Sequence, residues 1–260
     1  MKGIVLAGGL GTRLSPLTKV ASKQLLPVYD KPLIYYPLST LMLANIREVL
    51  LISTPTQIES FKDLLGNGHE LGIEIEYKVQ GRPGGIAESL VIGADYLAES
   101  KSALILGDNF FHGPGLGRRL ESFKNVNGAQ IFGYHVQNPS PYGVATVNNS
   151  VVVSLEEKPK NSVSKIAIPG LYFFDESASS RAQKLSPGPR GELEILDLLK
   201  TYLNDAILNL EMLPRGTAWF DSGTFEDLHE AGTYVKLMQE RTGERVGDPF
   251  EIAKIRGWLT

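Results

Sequence analysis

The chain predicts an α/β fold, a mixed and mostly parallel sheet flanked by helices with a small β-rich insertion, on three observations. Unbroken apolar runs at Gly3-Ile4-Val5-Leu6-Ala7, Val49 to Ile52 and Ala103-Leu104-Ile105-Leu106 have the length and content of strands buried on both faces. Helical stretches and short loops alternate with them, as in strand–helix–strand units. Past Gln130 strand-like runs follow one another closely, which marks the insertion.

The first run opens onto Gly8, Gly9 and Gly11, whose backbones reach conformations closed to other residues and leave main-chain N–H groups open to an anion. Arg13 and Lys23 follow. A guanidinium donates in pairs to phosphate oxygens and an ammonium adds a compact charge, so the segment reads as a polyphosphate cradle. GGLGTR is not a P-loop, and Leu14 stands where GxGxxG needs its third glycine. On this stretch alone, a strand-to-loop turn with two surface cations explains the residues equally well.

Asp30-Lys31-Pro32 then predicts a helix start, with an apolar run from Leu33 to Leu43 and a kink at Pro37. After the strand at Val49, Thr54-Pro55-Thr56-Gln57 predicts a capped helix with Ile58, Phe61 and Leu65 on one face and Gly66 at its end. Ile73 to Val79 alternates as a half-buried strand, with Gln80 at its carboxyl end. A loop through Gly84 and Gly85 leads to a helix over 86–97, and the strand after it ends in Gly107-Asp108.

Strands are predicted at Ile131 to Val136, Val144 to Val147, Val151 to Leu155 and Leu171 to Phe174, with a turn at Asn148-Asn149. Glu192 to Leu203 is an amphipathic helix, Leu208, Leu210 and Met212 alternate in a strand, and Thr224 with Asp227 forms a cap pair for a last long helix. No linker, repeat or low-complexity tract interrupts the 260 residues, so 1–260 reads as a single domain.

A net charge of -3 gives no reason to expect a nucleic-acid partner. Without cysteine the chain has no disulfide, thiolate catalysis or thiolate metal site. His69, His112, His135 and His229 lack metal-ligand spacing, and surface or structural roles are expected of them. No apolar run approaches the ~18 residues of a membrane helix and no leader is apparent, so a cytoplasmic location is expected.

In open α/β sheets ligands bind outside the carboxyl ends of the strands, where the glycine loop, Gln80 and Asp108 are all predicted. Asp108 and Asp221 lie far apart in the chain but together suit a hard divalent cation; each alone suits a cap or turn. Glu157 and Lys158 end a strand, and matter only if the fold returns Lys158 to the phosphate site. Pro141-Tyr142-Gly143 reads as a turn or as a sugar contact.

Eight segments in order resemble the sugar-nucleotide pyrophosphorylases, most closely the glucose-1-phosphate thymidylyltransferase family. They are LAGGLGTRL at 6–14, SKQLLPVYDKPLIYYPLSTLM at 22–42, LGDNFF at 106–111, PYGV at 141–144, LEEKP at 155–159, GLYFFD at 170–175, RGELEI at 190–195 and RGTAWFDSGT at 215–224. The resemblance implies a Rossmann-like nucleotidyltransferase fold joining dTTP and glucose 1-phosphate with release of pyrophosphate. Its nucleotide-binding half is then 1–130, its sugar-binding, β-rich half 131–224 and its C-terminal helices 225–260. By matching motifs, Gly8, Gly9 and Gly11 hold the triphosphate, Arg13 and Lys23 the departing pyrophosphate, and Gln24 lies by the ribose. Gln80 and the Gly85 backbone read the pyrimidine. Tyr142, Gly143, Glu157, Ile168 and Tyr172 line the sugar pocket, Lys158 holds the sugar phosphate, and Asp108 and Asp221 share Mg²⁺.

These residue types make sense for two polyanions that must approach each other, since cations and a metal offset their repulsion before in-line attack. The nucleophile already carries charge, so no base or covalent intermediate is needed. Four positions depart from the family: Leu10 stands for a frequent serine, Gly84 for a frequent acid near the base, Ile168 for valine and His112 for a tyrosine of a second, regulatory nucleotide site. With the chain ending before the longer members' C-terminal extension, the resemblance carries no expectation of feedback control. It does imply a homotetramer of paired dimers. Two alternatives stand beside the leading reading: the same chemistry with UTP or another sugar 1-phosphate, and a non-catalytic nucleotide-sugar sensor. The presence of Arg13, Lys23, Asp108, Lys158 and Asp221 together argues against the sensor.

Overall fold

The structure is a computed structural model that describes residues 1–9 and 11–259; Leu10 lies outside the described residues. In chain order its strands are β1 (Lys2–Ala7), β2 (Pro27–Val28), β3 (Lys31–Pro32), β4 (Glu48–Ser53), β5 (Glu74–Val79), β6 (Ser102–Leu106), β7 (Phe110–His112), β8 (Ala129–His135), β9 (Gly143–Asn148), β10 (Val151–Glu157), β11 (Ile166–Ala167), β12 (Leu171–Phe174), β13 (Leu208–Met212) and β14 (Ala218–Phe220). Its helices are α1 (Tyr35–Leu43), α2 (Ile58–Leu65), α3 (Glu88–Ile92), α4 (Ala94–Leu97), α5 (Leu116–Glu121), α6 (Ala178–Ala182), α7 (Ile195–Asn204), α8 (Phe225–Thr242) and α9 (Pro249–Ile255). Among the described residues no helix is long and apolar enough to cross a membrane.

Ten strands form one sheet in the order β10-β9-β11-β8-β12-β6-β1-β4-β5, with β13 also paired to β8. β1 runs parallel to β4 and β6, and β4 parallel to β5, so all four carboxyl ends open on the same edge. Antiparallel β12 then fits between β6 and β8. The β-rich part is thereby continuous with the parallel part. It carries the sheet sideways from β1, β4 and β5.

Both faces of β1 are dry, as its unbroken apolar run requires. Val5 and Ala7 pack on one side with residues of α1 and α2, while Ile4 and Leu6 pack on the other with residues of α3 and α7. A fully buried side chain of this size contributes about 1.5–3 kcal/mol. A third cluster joins Ala231 and Val235 of α8 to Val28, Leu33, Tyr36 and Phe110.

The structure corrects several element boundaries. Asp30-Lys31-Pro32 does not start a helix: β2 and β3 pair as a short hairpin with Tyr29 at φ 61, and α1 begins only at Tyr35. Pro37 therefore falls in the first turn, where a missing N–H costs no hydrogen bond, and no kink follows. Thr54 does not cap α2, which begins at Ile58 without a side-chain cap. The helix over 86–97 is two short helices meeting at Gly93. The turn between β9 and β10 is Asn149-Ser150, both at positive φ, the conformation that matches strand twist in a two-residue hairpin. Glu192 to Glu194 stay outside α7.

The cap of α8 forms as its sequence predicts. Asp227 donates its N–H to Thr224 Oγ1 at 3.1 Å, and Thr224 donates its own to Asp227 Oδ2 at 2.8 Å. Thr224→Ala is expected to lower stability by about 1 kcal/mol, read as an earlier urea midpoint with an unchanged slope.

Candidate active site

Parallel pairing fixes the first carboxylate. β6 lies beside β1 at the sheet centre, Gly107 donates its N–H to Leu6 O at 2.8 Å, and Asn109 donates its own to Leu106 O at 3.0 Å. The tight turn leaves Asp108 at the carboxyl edge. Asp221 reaches the same place by another route. β14 pairs antiparallel with β7, Phe220 opposite Phe110, so the residues flanking that ladder bring the two aspartates together.

Their surroundings are unequal. Asp108 Oδ2 accepts from Lys23 Nζ at 2.5 Å and Oδ1 from Asn109 Nδ2 at 2.9 Å. Asp221 accepts only a long bond from Gly223 N, at 3.3 Å, among the described residues. Burial pushes the Asp221 carboxyl above its ordinary range, the charges of Asp227 and Asp108 add to that, and Lys23 opposes it.

Two cavities meet here. The first, of about 260 Å³, is walled by Gly8, Gly9, Gln24, Gln80 and Gly85. The second, of about 510 Å³, is walled by Arg13, Tyr142, Gly143, Ile168, Tyr172 and Asp221. Asp108, Glu157 and Lys158 line both. The fold does return Lys158 to the glycine loop, through a backbone at φ 43 and an N–H donated to Tyr142 O at 3.0 Å. Its ammonium stays exposed, 3.4 Å from Glu157.

Gly11 and Lys23 line neither cavity. Gly11 makes the turn at φ 60, where a Cβ would meet Thr18 at 2.7 Å, and Lys23 is only 7% exposed behind Asp108. Gly8 is forced by its neighbour, since a Cβ there would sit 2.6 Å from Gln80 Oε1. Gly85, at φ 93, would put a Cβ 2.3 Å from the Leu193 carbonyl. Burial pushes the Tyr142 phenol up to about 12, so it remains a donor, and its ring lies 5.0 Å from Trp219. Arg13 packs over Gly223, where a Cβ would be 2.9 Å from Nη2.

Three residues of this site had no assigned role in the sequence. Arg190, inside the RGELEI segment, lines the first cavity and is gripped by Glu194 at 2.9 and 3.0 Å and by Glu192 at 3.4 Å. Alternating acids after an arginine were the available signal. Asn109 and Trp219 sit in the LGDN and AWFD runs, and Trp219 Nε1 donates to Asn109 Oδ1 at 2.7 Å, as does Gly170 N at 3.0 Å. Nothing local betrays that contact. His112 lies elsewhere, in a separate cavity of about 410 Å³ with Ser39 and Glu244; its Nδ1 is 2.8 Å from Tyr234 Oη, and burial lowers its pKa.

The chain is similar over most of its length to known proteins. Residues 2–236 match the nucleotidyl transferase family. The glucose-1-phosphate thymidylyltransferase of Mycolicibacterium smegmatis is 50% identical over all of this chain and 90% of its own length. That of Xanthomonas campestris pv. campestris strain B100 is 51% identical over 99% of this chain and 88% of its own. A Bacillus anthracis protein assigned as a glucose-1-phosphate thymidylyltransferase, solved with sucrose, superposes with a TM-score of 0.86 at 34% identity, covering 96% of this chain and 99% of that one.

Asn109 is 2% exposed and fully committed to its three partners. Asn109→Ala is expected to strand two buried N–H groups and to cost about 2–5 kcal/mol. Trp219→Phe, which removes one of those donors and leaves Asn109 a partner, is expected to cost less than half as much; chemical denaturation of both variants checks the order.

Proposed function

The chain belongs to the nucleotidyl transferase family, and from that membership we propose that it joins dTTP and α-D-glucose 1-phosphate into dTDP-glucose with release of pyrophosphate. The observation that carries the reading is the pair of cavities sharing Asp108, Glu157 and Lys158. A two-substrate transfer needs two chambers and one junction.

The triphosphate lies along Gly8 and Gly9 with Gln24 at the ribose and Gln80 and the Gly85 backbone at the pyrimidine. Glucose 1-phosphate occupies the wider chamber among Tyr142, Gly143, Glu157, Ile168 and Tyr172, its phosphate on Lys158. A sugar-phosphate oxygen attacks the α-phosphorus in line; the new P–O bond forms as the bond to the bridging oxygen of pyrophosphate breaks. Arg13 stabilises the departing pyrophosphate. Lys23 acts from behind Asp108, and Arg190 adds charge in the first cavity beside Glu157. Gly11 shapes the loop.

Asp108 and Asp221 suit Mg²⁺. Both are hard oxygen donors, and the upward shift at Asp221, due first to burial and then to the charges of Asp227 and Asp108, is of the kind that a divalent cation relieves. When bound, the ion offsets phosphate charge. The family's tetramer of paired dimers and a cytoplasmic setting belong to the same reading, as does one domain over 1–260, with a nucleotide half, a sugar half and C-terminal helices.

With dTTP, glucose 1-phosphate and Mg²⁺ the protein is expected to release pyrophosphate; a protein inert in both directions overturns the reaction, and a strong preference for UTP overturns the thymidylyl assignment. Asp108→Asn is expected to lower kcat by about 10²–10³, the scale of one lost electrostatic contact in a transition state. Mg²⁺ is expected to raise the melting temperature of the unaltered protein and leave that of Asp221→Asn unmoved, which checks the metal without turnover.

A further inference from the structure

Glu88 lines neither cavity, yet it decides which way an amide inside one of them faces. Gln80 is 4% exposed, and its Nε2 donates to Glu88 Oε2 at 2.7 Å and to the Gly85 carbonyl at 3.2 Å. Both partners are acceptors. Turning the amide over would set Oε1 against two lone-pair groups. The orientation is therefore fixed by chemistry as well as by fit, and it aims Oε1 at Gly8, in the wall of the smaller cavity.

Gly84 holds the space for this. A Cβ at position 84 would lie 2.0 Å from Glu88 Oε2, so any side chain there would drive the carboxylate off Gln80. The glycine that departs from the family's acidic residue thus leaves room for an acid supplied from the start of α3.

Resting on the nucleotide reading above, we propose that Glu88 is a positioning residue that sets the nucleobase preference. By holding the Gln80 amide as an acceptor toward the cavity, it favours a base with an N–H at ring position 3, as in thymine and uracil. Cytosine carries a lone pair there and meets Oε1 unfavourably. To accept cytosine Gln80 would have to turn over, and Glu88 forbids that.

Glu88→Gln keeps the shape but gives position 88 an N–H₂ that can face either orientation of Gln80. Calorimetric titration of dTTP and of dCTP, without sugar, into the unaltered protein, Glu88→Gln and Gly84→Ala tests the proposal. Glu88→Gln is expected to cut the dTTP-over-dCTP preference about tenfold or more, the scale of one charge-assisted hydrogen bond, with dCTP binding gained as dTTP binding is lost. In turnover, the loss is expected in the KM for dTTP more than in kcat. Gly84→Ala is expected to move the preference the same way while the carboxylate is retained, which keeps the test sound if Glu88→Gln folds poorly. A preference within about twofold of the unaltered protein in the folded variants overturns the proposal, as does equal binding of both nucleotides by the unaltered protein. Absence of pyrophosphate release bears instead on the reaction, because binding is read without it.

Discussion

Two carboxylates brought together inside a protein repel each other, and most of what surrounds Asp108 and Asp221 answers that repulsion. Lys23 is buried against one of them, and Asn109 donates to the same one from a position 2% exposed. The other has, among the described residues, a single long bond from Gly223, and its carboxyl is pushed up by burial. Such a pair is unfavourable in isolation. The ladder between β7 and β14 and the contact of Trp219 with Asn109 hold it in place, so the packing of the core sustains a local cost at the site.

The same logic explains the glycines. Gly8 yields to the Gln80 amide, Gly84 to the Glu88 carboxylate, Gly85 to the Leu193 carbonyl and Gly223 to the Arg13 guanidinium. Each absence of a side chain admits one polar group from another part of the chain. The loop at 84–87 is further bound to the strand-like segment before α7, with Leu193 donating its N–H to Gly84 O at 2.7 Å and Ala87 donating to Leu193 O at 3.1 Å. Two segments about a hundred residues apart are in this way stitched through backbone.

Much of this was legible in the sequence because it is local. Apolar runs gave β1, β4 and β6, the rule that ligands sit at strand carboxyl ends put Gln80 and Asp108 on one edge, and Thr224 with Asp227 announced its own cap. Local signals also misled. Asp30-Lys31-Pro32 has the chemistry of a helix start, but burial of Val28 and Leu33 against α8 made a hairpin of it. Asn109 and the burial of Lys23 depend on partners distant in sequence, Glu88 on one across an irregular loop, and no spacing rule encodes them.

The order of the chain adds a temporal side to the β7–β14 ladder. One aspartate emerges from the ribosome just after β6, whereas its companion follows β14. Domains condense as their parts become available. A nascent protein can therefore gather much of the central sheet while still lacking half of its carboxylate pair, so that mutual repulsion enters only after the framework that contains it.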